Sequence, residues 1–130
     1  MKLLSDTYPP EILSDFAVVE ECLREVNALE QQTFFILEDI DDSFVQVACD
    51  GGQYVIEKKD KAHRELHRAY SKEKFGTINT QRLRVTQFKI MALGDELLTL
   101  EQVLTVLYAF YRGENYPPDI GWRYLLSTEE

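Results

Sequence analysis

The sequence contains few cysteines and no long apolar run. Cys22 and Cys49 are the only cysteines among 130 residues, and their spacing does not form a CxxC pair. Two isolated thiols are typical of reduced, partly buried side chains in a reducing cytosol rather than of a disulfide framework. The start of the chain lacks the apolar stretch of a secretory signal, and no run approaches the ~20 apolar residues that cross a bilayer. We therefore expect a cytoplasmic protein that binds no membrane.

Glycine-rich phosphate-binding motifs and histidine-based metal motifs are absent as well. None of the six glycines lies in a GxGxxG or GxxxxGK[ST] pattern. The only two histidines, His63 and His67, lie in the segment HRELH, which matches neither HExxH nor HxxEH. On a helix both imidazoles would share a face and could bind one Zn²⁺, but on a strand they would lie ~13 Å apart. Because no third ligand is evident, we expect no metal. Since no phosphate-binding motif is present and any Ser-His or Cys-His relay would depend on this one stretch, we also expect no cofactor and no catalytic residue.

Positive charge is scarce outside one segment. The net charge is -9, yet residues 58–74 contain seven Lys or Arg against three Asp or Glu, which gives +4 there and -13 for the remainder. An acidic protein repels phosphate backbones and attracts basic proteins. The charge therefore disfavours direct nucleic-acid binding and favours a basic protein partner, although a solvated acidic surface is the simpler interpretation of charge alone.

The hydrophobic pattern predicts a single domain over residues 1–130. Residues 11–29 have the apolar spacing of a helix, with Ser14 or Asp15 as its N-cap. Three β-branched and aromatic segments follow, separated by an acidic turn and by a turn at Gly51 and Gly52; they cover residues 33–39, 43–49 and 53–59. This arrangement is typical of an antiparallel meander.

The second half of the chain predicts further strand structure and a well-marked helix. Residues 81–93 alternate in hydrophobicity and then change phase, which indicates one strand with a bulge near Thr86 and Gln87. Thr99 and Gln102 form a capping box that starts the last helix, and Gly113 ends it. The predicted fold is α+β, with an antiparallel meander of about four to five strands packed against an N-terminal and a C-terminal helix.

The segment YRGENYPPDIGWRY, residues 111–124, is rich in aromatic residues, proline and glycine. Two adjacent prolines favour an extended return of the chain after the last helix. We expect Trp122 to pack back onto the fold as a clasp, whereas an exposed Trp122 would instead serve as a binding hot spot. Tyr116, which lies between Glu114 and Asp119, is the better candidate for a partner contact.

Two stretches cover most of the chain, FFILEDIDDSFVQVACDGGQYVIEKKD and LLTLEQVLTVLYAFYRGENYPPDIGWRYL, with a basic segment between them. In this order they resemble small immunity proteins of bacterial polymorphic toxin systems, of the contact-dependent or type VI secreted kind. The resemblance implies a cytosolic, non-catalytic protein that binds one cognate toxin domain and covers its active site. Such toxins are often nucleases or nucleic-acid deaminases.

Acidic side chains suit this role, because they can occupy a groove that normally holds phosphates. The predicted partner-binding residues are Asp39, Asp41, Asp42, Asp50, Glu57, Glu114, Tyr116 and Asp119. Two alternatives stay open. One is a protein-interaction adaptor of the same fold, and the less favoured one is a small enzyme that uses His63 or His67.

Overall fold

Seven antiparallel strands form the main sheet of this computed structural model, and two further strands form a separate hairpin. The structure describes residues 1–60, 65–77, 79–85 and 88–127. In chain order the elements are β1 (Lys2–Ser5), β2 (Glu11–Ile12), α1 (Ala17–Ala28), β3 (Thr33–Glu38), β4 (Phe44–Asp50), β5 (Gln53–Lys59), β6 (Glu65–Ser71), β7 (Thr80–Val85), β8 (Phe88–Leu93), α2 (Leu100–Arg112) and β9 (Ile120–Ser127). Short 3-10 turns cover Lys72–Lys74 and Gly94–Glu96.

The strand order of the main sheet is β2-β1-β3-β4-β5-β6-β9. The predicted α+β class, with an antiparallel meander and two helices, is confirmed. The predicted count of four to five strands is wrong, since the described residues contain nine strands, seven of them in the main sheet. β1 and β2 are too short to give a clear alternating pattern. β9 was not predicted because Pro117, Pro118 and Gly121, at or just before its start, are typical of a loop.

The inner face of the sheet, defined as the face toward α1 and α2, carries the main core. Apolar side chains of both helices meet apolar side chains of the strands there, and the buried members include Val19, Leu23, Val26, Phe35, Leu37, Val45, Val47, Tyr54, Ile56, Val103, Leu104 and Leu107. Cys49 belongs to the same core, and burial raises the pKa of its thiol to about 12. Burial of this apolar surface is the main stabilising contribution to the fold.

The outer face of the sheet is covered in part by the β7–β8 hairpin. Ala48 and Val55 of the sheet pack there against Leu83 and Ala92 of the hairpin in a second, smaller cluster. β7 (Thr80–Val85) pairs with β8 (Phe88–Leu93) in an antiparallel register, so this part of the chain contains two strands and the expectation of one strand is wrong. The predicted bulge at Thr86 and Gln87 lies outside the described residues.

The ends of α2 follow the local sequence, whereas the start of α1 does not. α1 begins at Ala17 rather than at residue 11, and its N-cap is Phe16, without a side-chain capping bond, rather than the predicted Ser14 or Asp15. The Asp15 carboxylate still accepts the Ala17 N–H at 3.0 Å. The capping box of α2 is confirmed, because Thr99 and Gln102 each accept the other's backbone N–H. Gly113 ends α2 in the left-handed conformation, with a φ of 68°, as predicted.

Candidate partner-binding surface

The turn between β3 and β4, residues 39–43, is acidic and held by four hydrogen bonds; we name it the acidic turn. The backbone N–H of Asp39 donates to the Ser43 carbonyl at 2.9 Å, and that of Asp42 donates to the Asp39 carbonyl at 3.2 Å. The Asp39 carboxylate accepts the Ile40 N–H at 2.8 Å, and the Asp41 carboxylate accepts the Ser43 N–H at 2.9 Å. These local bonds fix the turn before any partner arrives.

The acidic turn places an apolar side chain among its carboxylates. Ile40 is 94% exposed, the largest exposed fraction among the large apolar side chains that the structure describes. Asp41 and Asp42 beside it are exposed, and Asp39 is half-buried. Asp42 takes a positive φ of 70°, a conformation that aspartate tolerates better than most residues. The turn thus presents one apolar tip and three carboxyl groups at one end of the sheet.

Asp50 and Glu57, also predicted to bind a partner, lie elsewhere. Asp50 ends β4 about 20 Å along the strand from the acidic turn, at about 3.3 Å per residue. Its carboxylate accepts the Arg84 N–H at 2.8 Å and so ties the hairpin to the sheet. Glu57 lies on the outer face and accepts hydrogen bonds from Gln46 and Arg68. The structure therefore gives both carboxylates partners within the chain.

Glu114, Tyr116 and Asp119 lie together on the connection between α2 and β9. Glu114 and Asp119 are exposed, whereas Tyr116 packs on Trp122 with ring centroids 4.9 Å apart. Lys58 places its ammonium 4.9 Å and 4.8 Å from the centroids of these two rings. Burial, and then the nearby charge of Asp60, raise the pKa of Tyr116.

Trp122 lies on β9, paired across from Ala69 of β6, and packs against the main core. The predicted clasp is therefore a strand of the sheet rather than a segment laid over it. The Trp122 Nε1 is buried and has no hydrogen-bond partner among the residues that the structure describes.

An ion-pair cluster on the outer face was not predicted from the sequence. Arg123 donates to Asp95 at 3.0 Å and to Glu96 at 2.7 Å, and Arg68 donates to Glu57 at 2.6 Å and to Glu96 at 3.3 Å. Asp95 and Glu96 are almost fully buried. The hydrogen bond from Arg123 lowers the pKa of Asp95, and the same bond raises the pKa of Arg123. The cluster joins β5, β6 and β9 to the turn before α2.

Part of the positive charge of residues 58–74 is used inside the fold. Lys58 pairs with Asp60 at 3.1 Å, and Arg68 belongs to the ion-pair cluster. Lys74 donates to the Leu97 carbonyl at 2.6 Å. In the described part of this segment, residues 58–60 and 65–74, the exposed surface is accordingly less basic than the composition indicates.

An open groove of about 240 Å³ lies on the outer face beside the hairpin, and it was also missed. Its lining residues come from β3, β4, β5 and β8, and are Phe34, Ile36, Gln46, Val47, Ala48, Val55, Glu57 and Ile90. The sequence carries one signal for it, since β3 has apolar residues at successive positions where a strand with one solvated face would alternate.

The histidine pair is only partly described. His67 lies on β6 with Nε2 3.7 Å from a Glu65 carboxylate oxygen, and its ring contacts Tyr124. His63 lies outside the described residues. Within the described part of the chain, no group of three or more His, Cys, Asp or Glu side chains is placed to hold a metal ion.

Neither helix, over the residues described, is both long and apolar enough to cross a membrane.

Comparison with known proteins does not place the chain in a family. No protein-family model matches the chain, and no curated protein is significantly similar to it.

Proposed function

We propose that this protein is an immunity protein that binds a cognate bacterial toxin domain and blocks its active-site cleft. The toxin is a nuclease or a nucleic-acid deaminase, and the protein itself performs no catalysis. The single observation that carries the proposal is the acidic turn, with Ile40 at its tip and Asp39, Asp41 and Asp42 around it.

The charge of the acidic turn suits a cleft that binds nucleic acid. Nucleases and nucleic-acid deaminases bind a polyanion, so their clefts carry positive charge. Carboxylates can take the places that phosphates occupy, and a net charge of -9 steers the two proteins together. The acidic turn therefore supports an inhibitor that competes with the substrate.

The geometry of the acidic turn suits tight binding. Its backbone is already fixed by the hydrogen bonds between Asp39 and Ser43 and between Asp42 and Asp39, so little conformational freedom is lost on association. Burial of the exposed Ile40 side chain in the cleft contributes about 1.5 to 3 kcal/mol of apolar transfer free energy. Charge sets the rate of association, and the apolar tip slows dissociation.

The proposal is tested by isolating the partner of this protein from its native cells and expressing the toxin domain found there. We expect co-expression of the protein to restore growth of bacteria that express the toxin domain. We also expect the purified protein to inhibit cleavage or deamination of nucleic acid at a one-to-one ratio. Growth arrest that persists, together with full enzymatic activity in the presence of excess protein, would refute an immunity function.

The acidic turn is tested by the triple change Asp39→Asn, Asp41→Asn and Asp42→Asn. Asparagine keeps the side-chain oxygens that accept the Ile40 and Ser43 N–H groups, so the turn should stay folded. We expect association at low salt to slow by at least about fivefold and its salt dependence to weaken. Stopped-flow measurement of association at several salt concentrations checks this.

A matched control removes three exposed acids far from the turn, through Glu21→Gln, Glu30→Gln and Glu73→Gln. Its net charge equals that of the triple asparagine variant, so a general charge effect would slow both variants equally. Equal slowing would rule out the acidic turn as the contact. Ile40→Ala should leave the association rate unchanged and raise the dissociation rate by about tenfold.

A further inference from the structure

The two edges of the main sheet are protected to different degrees. The edge strand β2 has only two residues, Pro9 and Pro10 precede it, and Glu11 is exposed. Very short strands, prolines and exposed charges are the usual means by which proteins prevent a further strand from pairing at an edge. The β2 edge is therefore protected against strand addition.

The β9 edge lacks these protections along most of its length. β9 has eight residues and no proline. Its one charged residue, Arg123, donates to Asp95 and Glu96 on the outer face and does not guard the edge. β6 pairs with one side of β9, and no strand within the described residues pairs with the other side. A register shift between Leu66 and His67 follows directly after the His67–Tyr124 pair, so the regular part of the ladder runs from Ile120 to Tyr124.

The ladder between β6 and β9 determines which backbone groups reach the open side. The Lys72 N–H donates to the Asp119 carbonyl at 2.9 Å, which makes these two residues a hydrogen-bonded pair. Antiparallel pairs alternate, so Gly121 and Arg123 bond to β6, whereas Trp122 and Tyr124 direct their N–H and C=O groups away from it. Two donors and two acceptors thus face the open side of this edge, where no strand of the described residues pairs with them.

We propose that β9 accepts an extended basic segment of the toxin domain as an additional antiparallel strand. The identity of the partner rests on the proposed function, whereas the accepting edge rests on the sheet alone. Strand addition supplies backbone hydrogen bonds for affinity, and the side chains on the two faces supply specificity.

Charge distinguishes a basic segment from a second copy of this chain. Each copy carries a net charge of -9, so two copies repel each other. Asp119 is exposed and immediately precedes β9. Its carboxylate favours Lys or Arg in the added strand, whereas Glu114 in the same connection already pairs with Arg112 at 3.8 Å. Tyr124, which is 57% exposed, offers an aromatic surface to the inner-face side chains of that strand.

The edge is tested with a short synthetic peptide that alternates lysine and valine, and the control peptide replaces each lysine with glutamate. We expect the lysine peptide to slow hydrogen exchange of the Trp122 and Tyr124 amides by about tenfold or more, and the glutamate peptide to have no effect. Nuclear magnetic resonance of the isotope-labelled full chain reports each amide separately.

Two substitutions at one position separate the backbone from the side chain. Tyr124→Pro removes an N–H that does not bond to β6, and proline is tolerated on an edge strand in that orientation. Tyr124→Ala removes the ring and keeps the N–H. We expect Tyr124→Pro to abolish peptide binding and Tyr124→Ala to retain it within about threefold. Should the proline variant fail to fold, the exchange measurement on the unchanged protein still decides.

The outcomes distinguish this proposal from the immunity function. If neither the lysine peptide nor the toxin domain slows hydrogen exchange of the Trp122 and Tyr124 amides, strand addition at β9 is refuted. Equal loss of peptide binding in the two Tyr124 variants also refutes it. If exchange of these amides slows as the concentration of this protein rises, without peptide or toxin, two copies pair through β9, and this result also refutes the proposal. Inhibition of the toxin without amide protection keeps the immunity function and rejects strand addition at β9. Peptide binding without any inhibition of the toxin keeps strand addition and rejects the immunity function.

Discussion

Phe34 and Phe35 are adjacent in β3 and have opposite surroundings. Phe35 lies on the inner face, is 2% exposed, and stacks on Tyr8 with ring centroids 5.8 Å apart. Phe34 lies on the outer face, is half-buried, and lines the open groove beside Ile90. The same residue type is therefore core on one face and accessible surface on the other.

The two faces also differ in what holds their covering elements. Apolar contacts dominate on the inner face, and few polar bonds accompany them: Tyr54 donates to Asn27 of α1 at 2.6 Å, and Gln102 of α2 donates to Ser71 at 3.4 Å. On the outer face a small apolar cluster is supplemented by the ion-pair cluster, in which Arg123 and Arg68 bond to buried carboxylates. Stability should therefore depend on shape and volume at the inner face, and on charge and pH at the outer face.

The largest expected effect comes from Phe35→Ala. Removal of a buried aromatic ring leaves a cavity and costs about 4 kcal/mol of unfolding free energy. Urea denaturation followed by the fluorescence of the single tryptophan measures it. A loss below about 1 kcal/mol would mean that the inner face repacks freely, and the contrast between the faces would disappear.

Arg123→Met should have the next largest effect. It leaves the buried Asp95 carboxylate without its charged partner, and the loss of such hydrogen bonds costs about 2 kcal/mol at neutral pH. Arg24→Met is the control, since Arg24 pairs with Glu20 at 2.9 Å on an exposed helix surface and should contribute little. Equal stability losses in the two variants would contradict a special role for the cluster.

The pH dependence of stability should reveal the same cluster. Because Arg123 lowers the pKa of Asp95 in the folded protein below its ordinary value of 3.8, the folded state binds fewer protons than the unfolded state there. The resulting stabilisation is fully present above about pH 5, and it is lost as pH falls through the lowered pKa. We expect the difference in unfolding free energy between the wild type and Arg123→Met to narrow from pH 5 to pH 2, as measured by urea titration. A constant difference would contradict this.

Phe34→Ala should have the smallest effect, about 1 kcal/mol or less, because the ring is partly solvated in the folded state. Both variants are measured in the same denaturation assay, so the losses of unfolding free energy at two adjacent phenylalanines are compared directly. A cost as large as that of Phe35→Ala would show that the groove is closed in solution.

Local patterns predicted part of this fold. The boundaries of β3, β4 and β5 were close to correct because Gly51 and Gly52 mark the turn between two apolar strands, with φ of 57° and 87°. α2 was predicted because its capping residues and its glycine stop lie within the helix sequence itself. The acidic turn was also predicted as a turn, and its role in binding stays a prediction.

Long-range features were not predicted. The sequence around Gly121 resembles a loop, yet the Tyr70 ring packs against this glycine from the neighbouring strand, where a methyl group would overlap it. Arg123 and Asp95 are separated by 28 positions and meet only through the sheet. The bonds from Gln46 and Arg68 to Glu57 were not predicted either, because the three residues meet only across neighbouring strands, and the role of Glu57 as a partner contact stays a prediction.

The pairing of β9 with β6 has a consequence for the order of folding. Strands β3 to β6 are consecutive in the chain and also adjacent in the sheet. Their contacts therefore close only short loops. Ser71 and Ile120, by contrast, are paired across 49 positions, and the entropy lost on closing that loop slows their contact. We expect the meander to form first and β9 to dock last, so that a growing chain exposes the β6 edge until β9 has been synthesised.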